Sequence, residues 1–228
     1  MSTALLSLLQ LADPALPIGS FAHSAGLETY VQKGLVNDAV TTTNFITEML
    51  TQNIQYTDAA FVSLVYDAAI ENNIDRIMLL DQQCTVVKLP AELRQASQKL
   101  GTRLIKIFQS FTTHPMAEKY AAGVQQKKCN GNYPVVFGLF GYVLQIKKEE
   151  LLAGFYYNAT AGFVTNCVKL IPLGQQDGQK ILFSLQPLID KLVKQSMQPD
   201  EDLLGLCCTG FDIRSMQHEQ LYSRLYMS

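Results

Sequence analysis

Apolar residues recur at intervals of three and four along most of this chain, which is the period of an amphipathic α-helix. The interval is clearest in the segment 93–111, where the apolar side chains are Leu93, Ala96, Leu100, Leu104, Ile107, Phe108 and Phe111. A second segment contains Pro187 and has apolar residues at Ile181, Leu182, Leu185, Leu188, Ile189, Leu192 and Val193. Because proline has no amide hydrogen to donate, Pro187 predicts a kink or the start of a new helix.

Weaker periodicity, with Ser, Thr, Asn or Asp before several of the segments, predicts further helices at 3–11, 24–33, 44–56, 57–71, 73–86, 115–126, 135–147 and 148–170. Four stretches are predicted to be irregular connections: 13–20, 130–134, 172–178 and 198–214. No segment shows the alternating pattern of a strand next to a hairpin turn. The sequence therefore predicts an all-α fold, a single irregular helical bundle of roughly ten helices in one domain over residues 1–228.

The composition excludes several classes of function. Of the 228 residues, 48% are apolar and 17% are charged, which is enough for a core and leaves a weakly charged surface that partners can cover. The 18 basic residues are balanced by 20 acidic ones and form no run longer than a pair, so we expect no nucleic-acid binding. The longest apolar stretch is about half of a membrane span, so we expect no membrane insertion. Five scattered cysteines and no signal peptide favour the cytoplasm.

Sequence motifs for catalysis and for cofactor binding are absent. The chain has no G-x-x-x-x-G-K-[ST] phosphate loop, no G-x-S-x-G nucleophile motif and no C-x-x-C pair. His23, His114 and His218 are far apart in sequence, so we expect no metal site and no cofactor. A small helical hydrolase that uses His23 with Ser20 or Ser24 stays as an alternative, although no acidic residue lies near in sequence to orient the imidazole.

Residues 8–28 have the sequence LLQLADPALPIGSFAHSAGLE, in which Pro14 and Pro17 restrict the backbone on either side of Leu16. From its composition alone this segment is a plain connection between helices. It resembles the opening signature of the UreF family of urease accessory proteins. The matching positions are Pro14, Leu16, Pro17, Gly19, Ser20, Phe21, His23, Ser24, Gly26, Leu27 and Glu28.

Four later blocks agree with the same family in order and spacing, so the resemblance covers almost the whole chain. They are ELRQASQKLG at 92–101, YPVVFGLFG at 133–141, VKLIPLGQQ at 168–176 and QHEQLYSRLYMS at 217–228. One departure is Tyr226, where the family more often has phenylalanine. The substitution keeps the aromatic ring and adds a hydroxyl group.

The resemblance implies an all-α, non-catalytic protein that forms a homodimer and takes part in delivering nickel to urease. In that family the protein binds a scaffold protein, UreD or UreH, and the pair recruits the GTPase UreG before the assembly acts on apo-urease. The expected role is therefore that of an adaptor and regulator without a cofactor of its own. A direct nickel-binding carrier is the alternative, which the scattered histidines and cysteines disfavour.

The C-terminal tail, residues 200–228, is the predicted binding region for the scaffold protein. The resemblance places the contact at Arg214, Gln217, His218, Glu219, Tyr222, Arg224 and Tyr226. If the end of the chain is helical, Leu221 with Leu225 and Tyr222 with Tyr226 form one adhesive ridge, because they are four residues apart. The alternative is a tail that folds back on its own bundle.

A second group of residues is assigned by the resemblance to the surface that faces the GTPase. These residues are Lys169, Glu28, Asp58, Pro172 and Gly174. Taken without the family, Lys169 is a solvated side chain beside a turn, Glu28 is a charge on a helix surface and Asp58 is a helix cap. Glu92 and Arg94 are predicted to make surface or interhelix contacts, and His23 is a satisfied loop histidine more readily than a nickel ligand.

Overall fold

A computed structural model of the chain describes residues 3–20, 23–206 and 208–227, and in these ranges it contains helices and irregular segments but no strand. The α-helices are α1 (Thr3–Leu11), α2 (Leu27–Gln32), α3 (Ala39–Glu48), α4 (Ala60–Ile70), α5 (Ile74–Val87), α6 (Ala91–Gln109), α7 (Pro115–Gln125), α8 (Tyr133–Val143), α9 (Lys148–Leu170), α10 (Gln175–Ser184), α11 (Gln186–Ser196) and α12 (Thr209–His218). A π-helical segment (Met49–Ala59) joins α3 to α4, and a short 3₁₀ helix (Glu201–Leu203) precedes α12. The all-α prediction is confirmed, with a number of helices close to the predicted one.

The helical path from α3 to α4 is continuous, so the predicted break between residues 56 and 57 is wrong. A threonine before a periodic segment predicts a helix start, because its hydroxyl can accept a bond from a free amide. Here the hydroxyls donate instead. The hydroxyl of Thr51 donates to the carbonyl of Thr47 at 2.8 Å, and that of Thr57 to the carbonyl of Asn53 at 3.0 Å. Both side chains therefore fit inside a continuing helix.

The helix boundaries near prolines and glycines show which local signals were reliable. Helix α10 ends at Ser184 and Pro187 lies in the first turn of α11, which confirms a new helix start. The predicted irregular stretches 172–178 and 198–214 extend too far, because α10 begins at Gln175 and α12 at Thr209. Helix α12 contains Gly210 and several polar residues that weaken its periodicity, and it is stabilised by tertiary packing of Phe211, Ser215 and His218.

Helix α8 lies at the centre of the core and packs between α4 and α6. Its residues 134–141 are all buried, as expected for a helix that is apolar on every side. Gly138 allows the close approach to α4, because a Cβ atom there would lie 2.6 Å from the carbonyl oxygen of Val62. Phe137 of α8 contacts Phe155 of α9 with ring centroids 5.1 Å apart. Helices that precede α8 and the helix that follows it in sequence therefore pack around one apolar helix.

A buried carboxylate fixes the loop that leads into α8. Asp81 of α5 is fully buried and accepts the amide hydrogen of Asn132 at 2.8 Å, the amide of Gly131 at 3.3 Å and the amide of Asn130. The Tyr120 hydroxyl of α7 donates to the same carboxylate at 3.0 Å. The side chain thus satisfies several backbone donors that would otherwise be buried without a partner.

Candidate partner-binding surfaces

The end of the chain folds back on its own bundle. It is not helical, so it does not form the ridge of leucine and tyrosine side chains that a helical end would present. Helix α12 packs against α2 and α6, and the chain after His218 consists of turns and bends from 219 to 227. Tyr222 is fully exposed to solvent, whereas Tyr226 is only 6% exposed. The two tyrosines therefore do not share a face. The cause is that the amides of Leu225 and Tyr226 bond to a side chain and not to helix carbonyls.

That side chain is Glu28 in the first turn of α2, which is only 5% exposed. Its Oε1 accepts the amide hydrogen of Leu225 at 2.7 Å, and its Oε2 accepts that of Tyr226 at 3.0 Å. Oε2 also lies 2.9 Å from Nε2 of the fully buried His218. The interpretation of Glu28 as a surface charge is therefore wrong. The carboxylate lies inside the molecule and organises the segment 219–227.

Glu92 of α6 completes this group from the other side of the imidazole ring. Its Oε2 lies 2.9 Å from Nδ1 of His218, and its Oε1 accepts a hydrogen bond from Nη1 of Arg224 at 2.6 Å. We call the group of Glu28, Glu92, His218 and Arg224 the tail clasp. The prediction that Glu92 makes an interhelix contact is confirmed. No local signal in the sequence links these residues, because Glu28 and His218 are 190 positions apart.

The other predicted scaffold-binding residues lie on or next to α12. Arg214 donates from Nη1 to Oε1 of Gln217 at 3.1 Å, and its backbone carbonyl accepts a bond from the Thr29 hydroxyl at 3.0 Å. Glu219 is exposed. Gly26 has a positive φ of 77°, and a Cβ atom there would lie 2.6 Å from Oγ of Ser215. This glycine of the opening signature therefore permits α12 to pack closely against the start of α2.

Tyr226 carries the hydroxyl that the family pattern more often lacks. Its phenol oxygen is buried and has no hydrogen-bond partner among the described residues. Burial and the nearby Glu28 carboxylate raise the pKa of this phenol. The ring is therefore neutral at ordinary pH and fills space beside the tail clasp.

Asp58 lies within the π-helical segment, so the interpretation of this residue as a helix cap is wrong. Its two carboxylate oxygens lie 2.8 and 2.9 Å from Nζ of Lys88, and the side chains are only 13% and 11% exposed. The Thr57 hydroxyl donates to the same carboxylate at 2.7 Å. Burial lowers the pKa of Lys88, but the charges of Asp58, Cys84 and Asp212 and the hydrogen bond to Asp58 together outweigh burial, so the pKa is raised overall. Asp58 is thus a paired internal charge.

His23 and Asp58 line the same partly open pocket of about 230 Å³, together with Tyr133 and Phe163. Burial, followed by the charges of Lys99 and Arg103, lowers the pKa of His23. Its backbone carbonyl accepts a bond from Nδ2 of Asn166 at 2.9 Å. The hydroxyl of Ser24 is buried and makes no hydrogen bond with any described group. The geometry therefore gives no support to a hydrolase in which His23 activates Ser24.

Lys169 lies in the last turn of α9, and its side chain is exposed. The chain then turns through Pro172, which is exposed, to Gly174, which precedes the first residue of α10. A small cavity of about 70 Å³ next to Lys169 is lined by Val168 and Gly178. The structure thus brings three of the five predicted GTPase-facing residues together on one exposed turn. The other two, Glu28 and Asp58, are buried in separate charge pairs.

Within the described ranges, no three or more His, Cys, Asp or Glu side chains are grouped closely enough to hold a metal ion. None of the described helices combines the length and the apolar character needed to cross a membrane. Three described cysteines, Cys84, Cys129 and Cys167, are buried free thiols. What distinguishes the described part of the chain is its exposed segments and the charge pairs that hold the neighbouring backbone in place.

Comparison with known proteins places these features in a family. The family model named UreF matches residues 36–186. The urease accessory protein UreF of Actinobacillus pleuropneumoniae is 47% identical over 222 residues, which are 97% of this chain and 98% of that protein. The protein of the same name from Haemophilus influenzae is 46% identical over 99% of this chain and 96% of its own length. That of Bacillus sp. (strain TB-90) is 34% identical over 98% of this chain and 99% of its own length. The chain therefore belongs to the UreF family of urease accessory proteins.

Proposed function

We propose that this protein is an adaptor and regulator in urease maturation. It links the scaffold protein, UreD or UreH, with the GTPase UreG for the insertion of nickel into apo-urease. It catalyses no reaction and holds no cofactor of its own. It acts in the cytoplasm as a homodimer. The observation that carries the proposal is that full-length similarity to UreF proteins coincides with two exposed segments, the end of the tail and the Lys169 turn.

The end of the tail has the chemistry of a protein-binding site even while the tail clasp holds its backbone. Tyr222, Leu225 and Met227 are 107%, 67% and 56% exposed, so three large side chains of this segment face solvent. Tyrosine and arginine are enriched among the residues that dominate the binding free energy of protein interfaces, and methionine is enriched in interfaces generally. Arg224 lies among them, and its charge is neutralised by Glu92. We assign this surface to the scaffold protein.

The Lys169 turn is the surface assigned to UreG. Lys169 and Gly174 are exposed, and no described carboxylate forms an ion pair with the Lys169 ammonium group. Asp177 of α10, which is close to the turn in sequence, pairs with Lys180 at 3.1 Å instead. An unpaired lysine on a proline-restricted turn keeps its charge available for an acidic surface of a partner. Glu28 is buried and Asp58 is largely enclosed in its pair with Lys88, so we infer that both influence this surface only indirectly.

Tyr222→Ala is expected to weaken binding of the scaffold protein at least about tenfold, because tyrosine is enriched among the interface residues whose truncation costs about 2 kcal/mol or more. The fully exposed Tyr222 side chain contributes little to folding, so the variant should unfold like the parent. Titration of purified scaffold protein, followed by biolayer interferometry, measures the change. Removal of residues 217–228 should abolish binding altogether.

The matched control is Tyr157→Ala on α9, which removes a 43% exposed tyrosine from a different surface. This variant should bind the scaffold protein as tightly as the parent. If the Tyr222→Ala variant and the parent bind the scaffold protein with equal affinity, Tyr222 is not part of the interface. If the chain without residues 217–228 still binds fully, no part of that segment is needed for binding.

A further inference from the structure

The two nitrogens of the His218 ring face two different carboxylates. Nε2 lies 2.9 Å from Glu28, and Nδ1 lies 2.9 Å from Glu92. An ionised carboxylate only accepts hydrogen bonds, whereas a neutral imidazole carries a single N–H group. Both contacts are hydrogen bonds only when the ring carries two protons. With one proton, a nitrogen lone pair points at a carboxylate oxygen.

With both carboxylates ionised, the charges of the tail clasp balance only in that doubly protonated state. Glu28 and Glu92 supply two negative charges, and Arg224 supplies one positive charge. The imidazolium supplies the second positive charge at a position with no solvent exposure. Loss of a proton leaves one uncompensated negative charge next to a buried ring, which is costly in a medium of low polarity.

The carboxylates that hold the ring also hold the terminal segment 219–227. Glu28 accepts the amide hydrogens of Leu225 and Tyr226, and Glu92 accepts the guanidinium of Arg224. Repulsion between the ring and either carboxylate therefore acts directly on the bonds that attach the chain end. One atom connects the imidazole ring to the chain end, because Oε2 of Glu28 contacts His218 and also accepts the Tyr226 amide hydrogen.

The other titratable groups nearby do not take over this role. The Tyr226 phenol lies next to Glu28 and is kept neutral at ordinary pH by its raised pKa. Arg214, on the same helix as His218, is bonded to Gln217. His23, on the loop before α2, feels the charge of Glu92, but its pKa is lowered mainly by burial and then by Lys99 and Arg103. Among the residues that the structure describes, the ring of His218 alone lies between two carboxylates that also hold the chain end.

We propose that the tail clasp is a proton-controlled switch, in which loss of one proton from His218 releases the terminal segment 219–227 from α2 and α6. Imidazole is the side chain whose charge changes most readily near neutral pH. The segment is attached when the ring is doubly protonated and detached when the pH rises far enough to remove one proton. This inference concerns the isolated chain, so it does not depend on the proposed adaptor function.

The chain has no tryptophan, so a single tryptophan reports on the terminal segment. Met227 is 56% exposed and follows the anchored Tyr226, and Met227→Trp places the reporter there. Fluorescence anisotropy is recorded from about pH 6 to about pH 9.5. We expect the anisotropy to fall with rising pH in a one-proton transition, with the ratio of attached to detached segment changing about tenfold per pH unit above its midpoint.

Two further variants in the Met227→Trp background separate His218 from other causes. Glu92→Gln supplies an amide that donates to an unprotonated ring nitrogen, so the transition should disappear. His114→Gln removes the histidine that accepts the Met116 amide at the start of α7, far from the clasp in sequence, and should leave the transition unchanged. Circular dichroism at each pH confirms that the helices persist. A folded Met227→Trp protein with constant anisotropy, or an unchanged transition in the Glu92→Gln variant, would overturn the proposal.

Discussion

Asp81→Ala should lower the free energy of unfolding by about 3 to 5 kcal/mol, the largest effect expected from removing a charged side chain in this protein. The carboxylate is fully buried and accepts hydrogen bonds from the backbone amides of the loop before α8 and from the Tyr120 hydroxyl. Alanine leaves these donors buried without partners. Each buried unsatisfied donor costs about 1 to 3 kcal/mol. Urea unfolding followed by circular dichroism measures the change in midpoint.

Asp75→Ala on the same helix is the matched control. Asp75 is exposed in the first turn of α5 and contributes only through the helix dipole, so its loss should cost less than about 1 kcal/mol. Asp81→Asn should fall between the two, because its amide keeps one oxygen as an acceptor but turns two hydrogens toward donors. If Asp81→Ala and Asp75→Ala unfold at the same urea concentration, the carboxylate does not organise this loop.

Gly138→Ala is expected to destabilise the protein by about 2 to 4 kcal/mol, because it forces apart α4 and α8 at the centre of the core. The added Cβ atom would lie 2.6 Å from the carbonyl oxygen of Val62 and 3.2 Å from its Cα atom. These are backbone atoms of the first turn of α4, which continues the π-helical segment and cannot move aside by changing a rotamer. Thermal and urea unfolding both report the loss.

Gly162→Ala in α9 makes the same chemical change without the clash. A Cβ atom at Gly162 meets nothing within 4 Å. Since alanine is the better helix former, this variant should be more stable than the parent by about 0.5 to 1 kcal/mol. Opposite signs for the two substitutions are the expected result. Equal effects would mean that the α4–α8 contact is looser than described.

Helix content was predictable from the sequence because the helical period is a local property. The segment 93–111 and the start of a new helix at Pro187 depend on residues within one or two turns of each other. The glycines of the family blocks were recognisable as part of a pattern, but the sequence did not show why glycine is needed at those positions. Gly138 and Gly26 are required by close approach to α4 and to α12, which are distant in sequence.

The tail clasp was not predictable, because no local signal tells a buried glutamate from an exposed one. Glu28 has the sequence context of an ordinary first-turn helix residue, and its partner His218 is 190 positions away. The same holds for Asp58, whose partner Lys88 directly follows α5. In both cases a tertiary charge pair decides burial. The end of the tail is not helical because the amides of Leu225 and Tyr226 donate to the Glu28 carboxylate and not to helix carbonyls.

The proposed adaptor role requires that this protein join the scaffold protein and UreG in one complex. Light scattering on size-exclusion fractions tests this requirement, with purified scaffold protein and GTP-loaded UreG mixed in the presence and absence of this chain. We expect a species containing all three proteins only when the chain is present. Lys169→Ala should release UreG from it, while Lys147→Ala, which removes another exposed lysine, should not. Association of the scaffold protein with UreG to the same extent without this chain would contradict the account.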